Sequence, residues 1–152
     1  MKIVVVDYGQ GNLFSIKRVL DNFNISNNIE SSPLNVSQFD KMIIPGVGSF
    51  ATSMKTLQEN GWVDEIKNFS MNNKPILGIC LGMQLLASAG SEHGDSLGLN
   101  LIEGKVIKLE PSFKEKIPHV GWNQIDIKKS IELIFGVSVT SVNTIKVKGK
   151  SK

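Results

Sequence analysis

Lys74-Pro75-Ile76-Leu77-Gly78-Ile79-Cys80-Leu81-Gly82-Met83-Gln84 is an apolar run that closes in a Gly-x-Cys-x-Gly turn and passes into a helical apolar pattern. It reads as strand, tight elbow, helix. Glycines on both sides allow a sharp bend that leaves Cys80, the chain's one cysteine, exposed at the carboxyl end of the strand. A helix beginning at Leu81 would direct its positive end at the sulfur and favour the thiolate. The N–H of Leu81 is then available to an oxyanion. A small buried thiol is the ordinary fate of a lone cysteine. The paired glycines favour the nucleophile instead, provided the strand–turn–helix context is present.

The flanking sequence supplies that context. Residues 2–7 form a short β-branched run with little alternation, as in a strand buried on both faces. Leu13, Ile16, Leu20 and Phe23 follow at helical spacing. Residues 40–44 predict a second apolar strand, closed by Pro45. Met54 and Leu57, then Trp62, Ile66 and Phe69, predict two helices parted near Asn60-Gly61. Residues 75–79 predict a further buried strand, and residues 81–89 its helix. Strands alternating with helices indicate an α/β fold with a doubly wound, mostly parallel sheet. Reactive groups in such sheets collect at the carboxyl ends of the strands. Cys80, residues 7–12 and residues 45–48 all fall there. From Gly104 the pattern turns to shorter β-like pieces, residues 105–109 and 122–127, interrupted by Pro111 and Pro118.

Two loops beside the elbow carry glycine pairs. In Gly46-Val47-Gly48 a backbone N–H near Val47 can turn toward a ligand, as an oxyanion hole requires, though an ordinary turn has the same composition. Gly9-Gln10-Gly11 has the start of a dinucleotide loop, but Phe14 occupies the place of the third glycine. His93 lies 12 residues beyond Leu81, where the helix is expected to begin. If the helix continued, that would be roughly 18 Å, too far for proton transfer. His119 follows Pro118 and could be a structural histidine or a general base. No paired ligand spacing marks a metal site.

The 152 residues suit one domain with a sizeable core, and 41% apolar with 20% charged residues is ordinary for a globular chain. A single cysteine excludes an internal disulfide, and no apolar run could span a bilayer or act as a signal peptide, so a cytoplasmic location is expected. The net charge of +3 is uneven. Residues 1–127 carry 11 Lys+Arg against 13 Asp+Glu, whereas residues 128–152 carry six lysines against Glu132 alone. This shift predicts a boundary near residue 128.

Taken together, five stretches resemble the class I glutamine amidotransferases, and within them the glutaminase subunits of imidazole glycerol phosphate synthases. They are Val6-Asp7-Tyr8-Gly9-Gln10-Gly11-Asn12-Leu13, Ile44-Pro45-Gly46-Val47-Gly48-Ser49-Phe50, Leu77-Gly78-Ile79-Cys80-Leu81-Gly82-Met83-Gln84-Leu85-Leu86, Gly98-Leu99-Asn100-Leu101-Ile102-Glu103-Gly104 and Pro118-His119-Val120-Gly121-Trp122-Asn123. The resemblance implies that Cys80 attacks the side-chain amide of L-glutamine, releasing ammonia and leaving a glutamyl thioester for water to hydrolyse. It implies an oxyanion hole from Leu81 and a flipped peptide near Val47. Gly48, Gln84 and Glu92 match positions that hold the glutamine. Asn12 and Trp122 would face a cyclase subunit that receives the ammonia in a heterodimer. Neither a cofactor nor a metal is implied. Related subunits deliver ammonia to sugar-modifying partners in surface-polysaccharide pathways, and these motifs do not separate the two uses.

The same resemblance exposes a departure. The family's catalytic histidine and glutamate come from a later His-Pro-Glu segment, which does not occur in this sequence. Residues 1–128 are therefore expected to be a partial, C-terminally truncated amidotransferase domain. Residues 129–152, including Phe135-Gly136-Val137-Ser138-Val139 and Lys146-Val147-Lys148-Gly149-Lys150, resemble a fragment of a large-subunit ribosomal protein, member twenty-three. That basic tail is the one place where nucleic acid could bind. A nucleophile without its base predicts impaired turnover, and missing strands predict an uncovered sheet edge.

Overall fold

In the computed structural model, which describes residues 1–92 and 94–108, strand β1 (Lys2–Val6) lies at the centre of the main sheet. Its β-branched residues are all buried, Val4 and Val6 in one apolar cluster and Ile3 and Val5 in another. Alternate residues of a strand face opposite sides of the sheet, so each face needs its own cover.

Helix α1 (Leu13–Asn22) covers the Ile3/Val5 side through Leu13, Ile16 and Leu20. Asn12 starts it by accepting a hydrogen bond from the Ser15 N–H at 3.2 Å. The helix ends before Phe23, which is exposed rather than part of the stripe. Strand β2 (Ser26–Glu30) then pairs parallel with β1. A one-turn 3-10 helix (Val36–Gln38) leads into β3 (Lys41–Ile44), on the other side of β1.

Helices α2 (Phe50–Glu59) and α3 (Trp62–Met71) part at Gly61, as the Asn60-Gly61 pair predicts, and cover the Val4/Val6 face. Trp62, Phe50, Leu57 and Ile66 are fully enclosed there. Strand β4 (Ile76–Gly78) pairs parallel with β3, giving the order β2-β1-β3-β4. Short helix α4 (Leu81–Leu85) follows. A second sheet of β5 (Ala87–Gly90), β6 (Ser96–Leu97) and β7 (Ile102–Val106) has the order β6-β5-β7, with β5 and β6 antiparallel and β5 and β7 parallel. Leu86, Leu99, Leu101 and Ile102 join it to the core around Phe50.

The structure corrects the sequence reading at four points. The helix over residues 81–89 stops at Leu85, and residues 87–90 are strand. Its apolar run serves two elements, because Leu85 and Leu86 both reach the core across that change. The strand at residues 75–79 is not buried on both faces: Leu77 is 40% and Ile79 37% exposed. Strand β2, whose sequence Ser-Asn-Asn-Ile-Glu lacks apolar alternation, escaped prediction. Of the β-like piece predicted over residues 105–109, Lys105 and Val106 close strand β7 (Ile102–Val106), residues 107–108 are not strand, and residue 109 lies outside the described residues.

Residues Met1–Ile107 form one compact unit. The expected boundary near residue 128, the ribosomal-like tail, His119 and Trp122 fall outside the described residues.

Candidate active site

The parallel register decides what meets at the carboxyl edge of the sheet. Ile44, the last residue of β3, lies opposite Gly78, the last of β4. The Ile79 N–H continues the ladder to the Ile44 carbonyl at 2.9 Å. The chains leaving both strands therefore run side by side, residues 45–48 next to residues 79–82.

Cys80 stands at the crest of that turn with φ 56° and ψ −120°. A non-glycine residue in this region carries strain of about 1–3 kcal/mol, held in place by its surroundings. Here the surroundings are backbone. A side chain started at Gly82 would lie 1.9 Å from the Ile44 carbonyl oxygen, and one at Gly46 would lie 2.5 Å from the Gly82 nitrogen. Only bare backbone permits this approach, so the two turns interlock through glycine. The Cys80 carbonyl is occupied by the N–H groups of Met83 and Gln84, at 3.0 and 3.3 Å. Its side chain remains exposed.

Leu81 opens α4, and the leading N–H groups of a helix have no acceptor within it. Leu81 itself is buried, which fixes this peptide beside the cysteine. Across the gap Val47 is 55% exposed, and Gly48 takes φ 101° before Ser49 caps α2. Glu92 accepts a hydrogen bond from the Phe50 N–H at 2.9 Å. The carboxylate thus sits at the start of α2, two residues from Gly48, where the helix dipole favours negative charge. Gln84 is half-buried on α4. Asn12 is exposed at the head of α1.

The fold therefore brings Cys80, Leu81, Val47, Gly48 and Glu92 to neighbouring turns at one end of the sheet. The loop after β1 joins them: the Tyr8 hydroxyl donates to the Pro45 carbonyl at 2.9 Å. Burial pushes that hydroxyl up to about 12, against a smaller opposing pull from Ser53. Sequence reasoning missed Tyr8, Gln10 and Ser53 as a connected group. The available signal was Ser53 itself, a polar residue on the apolar stripe of Phe50 and Leu57.

The early end of α4 also removes the helical basis for placing His93 roughly 18 Å from the sulfur. His93 and His119, the only histidines, lie outside the described residues. Among the described residues no cluster of histidine, cysteine, aspartate or glutamate could hold a metal. No described helix is long and apolar enough to cross a membrane.

Comparison with known proteins adds to this geometry. The family model for glutamine amidotransferase class-I matches residues 4–144. Imidazole glycerol phosphate synthase subunit HisH 1 of Campylobacter jejuni (strain RM1221) is 43% identical over 136 residues, spanning 89% of this chain and 68% of the relative. The HisH subunit of Sulfurimonas denitrificans (strain ATCC 33889 / DSM 1251) is 45% identical over 130 residues, covering 84% of this chain and 63% of the relative. For that of Listeria monocytogenes serotype 4a (strain HCC23) the values are 45% over 133 residues, 86% and 63%. The chain thus spans 63–68% of the length of these relatives. Among solved structures, a glutamine amidotransferase superposes with a TM-score of 0.61 at 23% identity, covering 75% of this chain and 59% of that one, which supports the fold alone.

Proposed function

Because the chain belongs to the class I glutamine amidotransferase family, we propose that it is a glutaminase subunit of imidazole glycerol phosphate synthase, in histidine biosynthesis. The observation that carries this reading is the exposed, strained Cys80 at the interlocked turns of β3 and β4. The likeness to HisH subunits supplies the pathway.

Cys80 Sγ adds to the side-chain amide carbon of glutamine, and the former carbonyl oxygen becomes an oxyanion. The Leu81 N–H and a peptide N–H near Val47 receive that charge, and donors set in advance lose nothing to reorganisation. The C–N bond breaks, the nitrogen leaves as ammonia after gaining a proton, and a glutamyl thioester remains. Water then hydrolyses the thioester, returning the thiol and glutamate. Gly48, Gln84 and Glu92 hold the glutamine, Glu92 from its anchor on the Phe50 N–H.

Ammonia passes to a cyclase subunit in a heterodimer. Asn12 and Trp122 contribute to that interface. Support comes from the exposure of Asn12 and, two residues on, of Phe14, which is 80% exposed. A large apolar side chain exposed beside that polar cap is available to a protein contact.

The sequence holds no His-Pro-Glu segment, and positioned acid–base catalysis is typically worth ~10²–10⁴-fold. Turnover is therefore expected to be slow by about that factor. The test is glutamate release from glutamine by the purified chain with the histidine-pathway cyclase and its ligand present. Slow release that disappears in Cys80→Ala is the expected result. Release that survives Cys80→Ala, or none from a folded chain, would overturn the reading.

A further inference from the structure

Gln10 and Ser53 make a polar contact that the chemistry above leaves unused. Ser53 is fully buried on α2, and its Oγ donates to Gln10 Oε1 in the loop after β1. The same Gln10 oxygen lies 3.6 Å from the point where a Gly48 side chain would begin. The Gln10 amide is therefore bound by a buried hydroxyl and faces the backbone at Gly48.

Both ends of the segment over residues 46–48 are secured by other groups. The Pro45 carbonyl accepts from Tyr8, Ser49 caps α2, and the Phe50 N–H is bound by Glu92. Its middle is not. Val47 points largely to solvent, and Gly48, at φ 101°, has the widest torsional freedom of any residue type. Gln10 Oε1 faces it, 3.6 Å from where a Gly48 Cβ would stand.

We propose that Gln10, anchored by Ser53, is a positioning residue that sets the peptide between Val47 and Gly48 for the oxyanion formed at Cys80. The proposal rests on the glutaminase reading. A buried hydroxyl on an apolar stripe requires an acceptor, and Gln10 is an acceptor that also faces the loop at Gly48. Losing either partner frees the peptide to turn without exposing or burying the thiol.

A glutamine-shaped chloromethyl ketone tests this on the full chain. The cysteine sulfur bonds to the chloromethyl carbon, chloride leaves, and the thiol proton passes to water. The ketone oxygen gathers negative charge on the way, so the rate depends on oxyanion donors. Iodoacetamide alkylates the same sulfur without such charge and reports thiol exposure and reactivity alone. Gln10→Ala and Ser53→Ala are each expected to slow the ketone about tenfold, with iodoacetamide rates held within about twofold. Because both break the Gln10–Ser53 bond, the Gln10→Ala/Ser53→Ala double variant should lose less than the two single losses added together.

Unchanged ketone rates would overturn the proposal. So would additive losses, or equal slowing with iodoacetamide, since both mark a general loosening. Failure of the glutaminase reading looks different: the unsubstituted chain would then react no faster with the glutamine-shaped ketone than with one lacking the amino-acid head, and the proposal would fall with it.

Discussion

Cys80 is legible in sequence because its reactivity is local: two glycines at fixed offsets and an apolar run determine its turn. Tyr8 is not, since its role depends on a carbonyl 37 residues away. The distinction has a measurable consequence. Folding raises the Tyr8 hydroxyl from 10.0 to about 12 through burial. Between those values the unfolded chain has released the phenolic proton while the folded chain retains it. Stability therefore falls as pH rises through that window, and the contribution is complete below the unfolded value. Tyr8 is the chain's one tyrosine, so tyrosinate absorbance reports it directly. Urea unfolding at about pH 9 and about pH 11 should show a smaller loss in Tyr8→Phe than in the parent chain. An equal loss in both would assign the effect to other groups.

At the scale of elements, α4 shows where apolar periodicity misleads. Leu81, Leu85 and Leu86 are all buried, yet the helix ends at Leu85 and the chain enters β5. Both conformations bury the same leucines, so hydrophobic spacing could not tell them apart. Strand β2 fails in the opposite way, as its Asn27 and Asn28 hide a strand that owes its place to pairing with β1. The junction of β3, β4 and α4 is the least tolerant part of the fold. Gly82→Ala puts a methyl 1.9 Å from a backbone carbonyl that has no flexible end to move. A cost of about 3 kcal/mol is expected, at the upper end for overpacking. Urea unfolding measures that cost, and iodoacetamide reads the accompanying displacement of Cys80. A cost under about 0.5 kcal/mol would show that the two turns are not interlocked.

At the scale of the whole molecule, β4 is the informative edge of the described sheet. Among the described residues it pairs with β3 alone, and Leu77 and Ile79 keep 40% and 37% of their surface exposed. Unpaired apolar edges invite association, and natural sheets counter this with lysine. Leu77→Lys should reduce self-association in sedimentation while altering stability by no more than about 0.5 kcal/mol, the usual range for surface sites. A larger loss would mean that the side chain is covered in solution. The sequence by itself determined the α/β class, the cysteine elbow and the glycine loops beside it, because each depends on residues close together in the chain. Only the tertiary structure decided that β4 is exposed on one face, that α4 stops after five residues, and that Gln10 reaches Ser53 beside Gly48. Those features depend on parallel pairing between distant strands, and a contact across 43 residues leaves no local pattern to read.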